Sequence, residues 1–576
     1  MIKNIFLSLF LSLMIGPYAW ANNSDDFQKI LTDHWARATK EKVFFRTDPD
    51  GFRMNGTLPE LSKAARDRRA AFNDKILKRL SHITENELTK KDQISYKIFK
   101  FERQTEAESY RQPGHLFPIT KLFGYHTYFA NAPANMSFLK ARDYENYLIS
   151  LADFPRYNRE NIALLKEAVS KGYGHYCASM TGYETTISQH IVKDAKSSIF
   201  YAPFTNFPPQ ISTDQQARFT EQGLKLIAEK VIPEYEAFYD FYMKVYKPNC
   251  RKQPGISSVK GGAAYYKSQI EYFTTTDMGP EEIHQLGLSE IARIRGEMIA
   301  IMKKVKFKGS FKEFLGYLRS EERFYAKSEH ELLANAALIA KTMEGELPKF
   351  FGRLPRNTYS IKPGIRGAFY MPSSGDGTTS GTFFLGTRDL HTQPLYTLEA
   401  LTYHEGVPGH HLQTALAMEL DIPAFRRTLS HSAFTEGWGL YSERLGKDMG
   451  FYQDPYSDFG RLTYETWRAC RLVVDTGIHA FGWSRQKAID FMVDNTALAR
   501  DEVAAEIDRY ITWPAQALSY KIGEIKIRAL RKKAEKTLGG KFDLRAFHDT
   551  IIGNGSLPIA ILEEIVNDWI LEQKKQ

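Results

Sequence analysis

Apolar residues recur at three- and four-residue intervals along most of the chain, the signature of amphipathic helices. Residues 25–110 read as helices with charged outer faces, with Leu77, Leu80, Tyr96, Ile98, Phe99 and Phe101 at helix-like spacings. A looser aromatic stretch runs from Pro113 to Pro133, and helical patterning resumes over 143–171 and 213–245. Pro254, Gly255, Gly261 and Gly262 mark a loop over 248–262. Pro280 then opens a helix: Pro suits the first turn, Glu281 and Glu282 suit its positive end, and Leu286, Ile291, Ile294 and Met298 line one face.

The pattern changes over 357–388. Ala368–Met371 and Gly381–Leu385 are short apolar runs around a Gly/Ser/Thr turn at 373–380, which predicts a β-hairpin. From Tyr396 onward the helical period returns, interrupted by loops at 451–458 and 552–558. No repeat, low-complexity run or long linker cuts the chain. The expected fold is mainly α: a two-lobed helical protein with a small antiparallel sheet beside a deep cleft. A helical lobe of about 22–350 would be followed by a hairpin and metal-site lobe of about 351–576.

Composition changes this picture at the ends and the surface. The 576 residues suffice for a large core, and 43% hydrophobic with 25% charged residues is ordinary for a globular protein. Met1–Asn4 is basic, Ile5–Gly16 is apolar, and Ala19-Trp20-Ala21 is a small-x-small site, so a signal peptide over 1–21 is expected, with cleavage after Ala21. The apolar run is shorter than the ~20 residues that span a bilayer, so no stable membrane insertion is expected after removal. A periplasmic or secreted product follows. No cysteine lies near the cleavage site, which argues against a lipid anchor there. Cys177, Cys250 and Cys470 permit one disulfide at most, and a Cys177–Cys250 pairing is one option. The net charge of +9 reads as a solvated basic face; no fold or aromatic platform points to nucleic acid.

Candidate chemistry is concentrated in one place. Five of the fifteen histidines fall between His391 and His431, and three of them lie in His404-Glu405-Gly406-Val407-Pro408-Gly409-His410-His411. A His-Glu pair followed by another His on the same face is the zinc-hydrolase pattern: imidazoles hold the ion and the glutamate activates water. The spacing is unusual. On a straight helix His410 would point about 120° away from His404, and His411 would share its face but sit ~10.5 Å along the axis. Pro408 cannot donate to the carbonyl of His404 and its ring crowds that carbonyl, so the helix must open there, and Gly409 tolerates the result. The stretch reads as a metal-binding helix with an insertion. His330-Glu331, with no second histidine following, has no such meaning.

A catalytic zinc usually keeps three protein ligands. The third is expected at Glu436 in Thr435-Glu436-Gly437-Trp438-Gly439, where flanking glycines allow close approach. Glu443, seven residues on, is the alternative ligand or an acceptor behind the ligands.

His-Glu-x-x-Pro-Gly-His-His-Leu-Gln, Thr-Glu-Gly-Trp, Asp475-Thr476-Gly477-Ile478-His479 and Ala517-Leu518-Ser519-Tyr520, with Gly261–Tyr266 and Pro280–Gly287 earlier, resemble the bacterial DUF885 family. That family is grouped with the gluzincin metallopeptidases, relatives of thimet-type oligopeptidases and angiotensin-converting enzyme. The resemblance implies a zinc peptidase acting on short peptides. It carries the second ligand to His410, with His411 as a neighbour and alternate, because the two-residue insertion leaves both open. It implies Glu405 as general base and Tyr520 or His479 as donor to the oxyanion, with Asp475 as an alternate. It also implies that Gly381, Thr382 and Phe383 form an edge strand for the substrate backbone. Arg468, Arg471 or Lys521 are candidates for a substrate's terminal carboxylate. Two other classes fit the same residues: a non-haem iron enzyme with two histidines and a carboxylate, and a catalytically silent peptide-binding protein of the envelope.

Overall fold

The computed structural model describes residues 17–41, 46–48, 51–53, 56–136, 138–364, 367–373 and 379–575. Most of the expected leader, residues 1–16, lies outside the described residues. Helices dominate: α1 (Pro17–Glu41), a two-stranded ribbon β1 (Arg46–Asp48) and β2 (Gly51–Arg53), then α2 (Lys63–Leu80), α3 (Lys90–Arg111) and α4 (Ala141–Ser170). α5 (Thr213–Leu226) runs through a π-helical turn into α6 (Ile232–Phe241), and α7 (Gly262–Thr274), α8 (Pro280–Lys304) and α9 (Glu329–Phe350) follow.

The starts obey local chemistry. Ser62, Thr89 and Ser212 accept hydrogen bonds from the exposed amides of α2, α3 and α5, and Pro280 opens α8 as its fixed φ allows. α8 buries Ile283, Ile291, Ile294 and Met298, the face its periodicity predicts, with Leu286 at the margin.

Next come β3 (Tyr359–Gly364), β4 (Ala368–Met371) and β5 (Gly381–Gly386). The predicted hairpin exists: β4 and β5 are antiparallel, Tyr370 facing Phe383. The sheet itself is mixed rather than antiparallel, because β3 pairs with β5 in parallel, Ile361 facing Phe383. Its order is β3-β5-β4. The remainder is α10 (Leu395–Glu405), α11 (His410–Glu419), α12 (Ser432–Asp448), α13 (Pro455–His479), α14 (Arg500–Thr512), α15 (Ser519–Leu538) and α16 (Ile559–Lys575).

Two large apolar clusters support a two-lobed helical fold. One gathers buried side chains from Leu58 to Tyr246 and is rich in tyrosine and phenylalanine. The other joins Phe27–Phe99, Ile291–Phe351 and Phe383–Ile570. A smaller, third cluster gathers residues from Leu116 to Ile522. The cores therefore do not divide near residue 350: α8 packs along α13, and α9 against α10. Cys177 and Cys250 form a disulfide in the tyrosine-rich lobe, and Cys470 is a buried free thiol. Among the described residues no helix is long and apolar enough to cross a membrane.

Candidate metal centre

α10 is buried almost throughout, from Tyr396 to Glu405. It stops at Glu405 rather than bending. Gly406 and Gly409 take ψ near −120°, the Val407–Pro408 peptide is cis, and α11 starts at His410. The carbonyl of Pro408 accepts the indole N–H of Trp438 at 2.8 Å, and the His411 amide donates to Gly406 at 3.0 Å, so polar groups at the break find partners. A Cβ at position 409 would lie 2.0 Å from the His404 carbonyl oxygen; only glycine fits that approach.

The break brings His404 and His410 together, their rings 4.7 Å apart and nearly perpendicular. α12 supplies Glu436. Its Oε2 lies 3.4 Å from Nε2 of His404 and 3.4 Å from Nε2 of His410. That separation is long for a hydrogen bond. It matches the edge of a tetrahedron whose bonds are ~2.1 Å, about 3.4 Å, so the three atoms fit one zinc-sized ion. Gly439 makes the approach possible, since a Cβ there would meet the His404 ring at 2.7 Å.

Glu443 resolves the alternative left open by the sequence. It accepts from Nδ1 of His404 at 2.8 Å, which leaves Nε2 for an ion, so it orients a ligand rather than acting as one. His411 also turns away: Nδ1 meets the Tyr370 hydroxyl at 2.8 Å, and Nε2 donates to the Asn357 carbonyl at 3.1 Å. It ties α11 to β4 and β3's approach loop.

The electrostatics favour a cation. Burial opposes a charge on His404, yet the neighbouring Glu436 and Glu443 carboxylates outweigh it and raise its pKa to about 9. Burial alone would raise Glu436, but the two imidazoles hold it well below the ordinary carboxylate range. Burial pushes Glu405 up, against the nearby imidazoles. Glu405 is the last residue of α10, buried next to the ligands.

Tyr520 sits beside this centre on α15, its ring stacked on that of His404 at 6.3 Å. α15 comes this close because it crosses α12 at two glycines: a Cβ on Gly523 would meet the Ala433 carbonyl oxygen at 1.8 Å, and one on Gly437 would meet the Gly523 carbonyl carbon at 2.5 Å. Arg468 on α13 reaches Glu443 at 3.5 Å.

Other expectations need correction. His479 accepts from the Ile256 amide at 3.1 Å and donates to the Tyr510 carbonyl at 3.0 Å, so both ring nitrogens are spent on backbone. Burial lowers its pKa to about 3. Asp475 takes the Tyr266 hydroxyl at 2.6 Å and the Ala515 amide at 3.1 Å; burial raises it to about 7. It too is spent within the fold. Gly381, Thr382 and Phe383 lie on the central strand, hydrogen-bonded within the sheet, so they cannot be an edge for a peptide; the edges are β3 and β4. Lys521 is fully buried, with Glu290, Glu465 and Glu524 at 3.0, 2.9 and 2.8 Å. Its ammonium fills the centre of that carboxylate group, which removes both Lys521 as a substrate anchor and the three acids as a second metal site.

No motif points to Arg509 and Glu506 on α14, which meet Tyr520 and Arg471 from a separate helix. Nor does any signal Gly523, whose role depends on a crossing partner.

Among solved structures, the chain resembles a protein described as "the putative lipoprotein from Colwellia psychrerythraea", at 27% identity and TM-score 0.83, over 96% of this chain and 98% of that one. A second, "a putative lipoprotein of unknown function from Shewanella oneidensis", shares the fold at 18% identity and TM-score 0.67, over 95% and 99%. No curated protein matches. The family described as "Bacterial protein of unknown function (DUF885)" matches residues 46–566, and the chain belongs to that family.

Proposed function

We propose that the protein is a zinc-dependent peptidase of the bacterial envelope that hydrolyses short peptides. The observation that carries this reading is the paired 3.4 Å separation of His404 and His410 from Glu436, with Glu405 buried next to the ligands. His404, His410 and Glu436 would hold the ion. Zinc bound there would supply a Lewis acid and a water whose pKa falls towards ~7.

The chain's own groups account for the proton and the charge. Glu405 takes a proton from the attacking water and returns it to the departing amine. Tyr520, next to His404, has a hydroxyl suited to donate to the oxyanion. Glu443 fixes the tautomer and direction of His404. The resemblance to DUF885, a family grouped with the gluzincins, supports the same assignment, and the lipoprotein description of the Colwellia structure supports an envelope location.

The test is Glu405→Gln in protein assayed on a peptide library by mass spectrometry, with metal content measured alongside. Turnover is expected to fall by about 10²–10⁴-fold or more, while one zinc per chain remains. Undiminished cleavage would remove Glu405 from the mechanism, and iron as the resident metal would remove the zinc reading.

A further inference from the structure

Next to the metal centre lies a set of guanidinium groups with too little negative charge to match. Arg468 is buried, and among the described residues the only polar groups it reaches are the Tyr464 carbonyl at 3.4 Å and Glu443 at 3.5 Å, both long. That Glu443 oxygen is already held by His404 at 2.8 Å. Nε of Arg468 has no partner. Arg471 and Arg509 share one carboxylate, Glu506, at 3.0 and 3.1 Å, and each leaves one buried nitrogen, Nη1 and Nε respectively, without a partner. Glu502 adds little charge at neutral pH, because burial and then Glu506 push its pKa to about 8.

The cations are arranged on aromatic faces that reach solvent. Arg468 and Arg471 lie over Trp467 at 4.5 and 4.6 Å. Arg471 also covers the Tyr520 ring at 4.3 Å, and Arg509 donates to the Tyr520 hydroxyl at 3.4 Å. Trp467 and Tyr520 are half-buried, and Tyr520 stacks on His404. A planar fork of N–H donors in such a setting matches a carboxylate.

We propose that Arg468, Arg471 and Arg509 anchor the C-terminal carboxylate of a peptide, so that hydrolysis removes residues from that end. This deepens the peptidase reading and rests on it for the cleavage step. The path from Arg468 through Glu443 and His404 to an ion is on the order of 10 Å along its atoms, an upper bound on the direct distance, so at most about three extended residues at ~3.3–3.6 Å each fit between them. The bond cut therefore lies one to three residues from the C-terminus.

The experiment uses zinc-loaded Glu405→Gln protein, which holds peptide without turning it over. A degenerate pool of N-acetylated tetrapeptides, half with free C-terminal carboxylates and half as amides, is incubated with it, and retained peptides are weighed by mass spectrometry. The acids are expected to be enriched at least about tenfold over the amides, and in Arg468→Met, Glu405→Gln protein the ratio should fall below about threefold. Equal retention of acids and amides, or retention of neither, overturns the anchor. The comparison with Glu405→Gln alone decides even if the arginine variant fails to fold. Absence of cleavage by the unaltered protein, with the acid preference intact, would instead overturn the peptidase reading and leave the anchor standing.

Discussion

At the scale of single residues, the site is specified by what is absent as much as by its ligands. Gly439 has no side chain where one would strike the His404 imidazole at 2.7–2.8 Å. Gly439→Ala must tilt that ring away from Glu436, while α12 can keep its backbone, since alanine favours helix. Zinc affinity is expected to fall at least about tenfold, the range seen when support for a ligand is lost, with circular dichroism unchanged; competition with a chromogenic chelator measures it. Unchanged affinity would show that the ring has room to spare. Much of this scale was legible. His404, Glu405, His410 and Glu436 follow from the motif, and the glycines around Glu436 read as a close approach. His479 misled because a His near an Asp in a motif looks chemical, whereas its hydrogen bonds go to the backbone of Ile256 and Tyr510, which the sequence cannot place.

At the scale of elements, two devices build the centre. One is the break between α10 and α11, deducible from Pro408 and Gly409 because missing donors and crowded carbonyls are local facts. The other is the crossing of α12 and α15 at Gly437 and Gly523, which is not local: neither glycine announces which helix it faces. Gly523→Ala puts a methyl 1.8 Å from the Ala433 carbonyl oxygen and 2.9 Å from the Gly437 Cα, so the helices must separate. Tyr520, one turn earlier on α15, moves away from His404 with its helix, whereas His404, His410 and Glu436 lie on α10, α11 and α12. The expected outcome is a fall in kcat of about 10²-fold, comparable with loss of one oxyanion donor, with zinc still bound and a drop in thermal stability. Full activity would mean that Tyr520 is not needed where it stands. The sheet shows the same limit: apolar runs around a turn predicted the hairpin of β4 and β5, but Tyr359-Ser360-Ile361-Lys362 in β3 does not say which strand it pairs with, and its place on the other side of β5 turns an expected edge into a centre.

At the scale of the whole molecule, the arrangement of lobes was readable as helical and two-part, but its boundary was not, because α8 and α9 precede the hairpin in sequence and pack with the helices that follow it. What unites both lobes is a set of histidines held neutral. His126 and His175 belong to the first half of the chain, His479 and His548 to the second. Burial lowers them to about 3, 4, 3 and 3. His175 and His548 spend a ring N–H on the carbonyls of Ile119 and Phe350 at 2.6 and 2.9 Å, so protonation would add an unmatched charge inside the core. In the unfolded chain each titrates near 6.5. Between that value and about 4 the unfolded state takes up protons that the folded state refuses, so stability is full above pH ~6.5 and falls as the pH drops. By pH 5 the loss is on the order of 2 kcal/mol for each such histidine; Asp475 and Glu502, raised by burial to about 7 and about 8, act in the opposite direction because the folded state binds their protons first, but below pH 6.5 they are two groups against four. Urea denaturation of chelated protein at half-unit steps from pH 7.5 to 5 should therefore show a falling midpoint, with chelation ensuring that metal release plays no part. A flat midpoint across that interval would mean that these cores open to admit protons without unfolding, and the two lobes would then be less rigid than their packing implies.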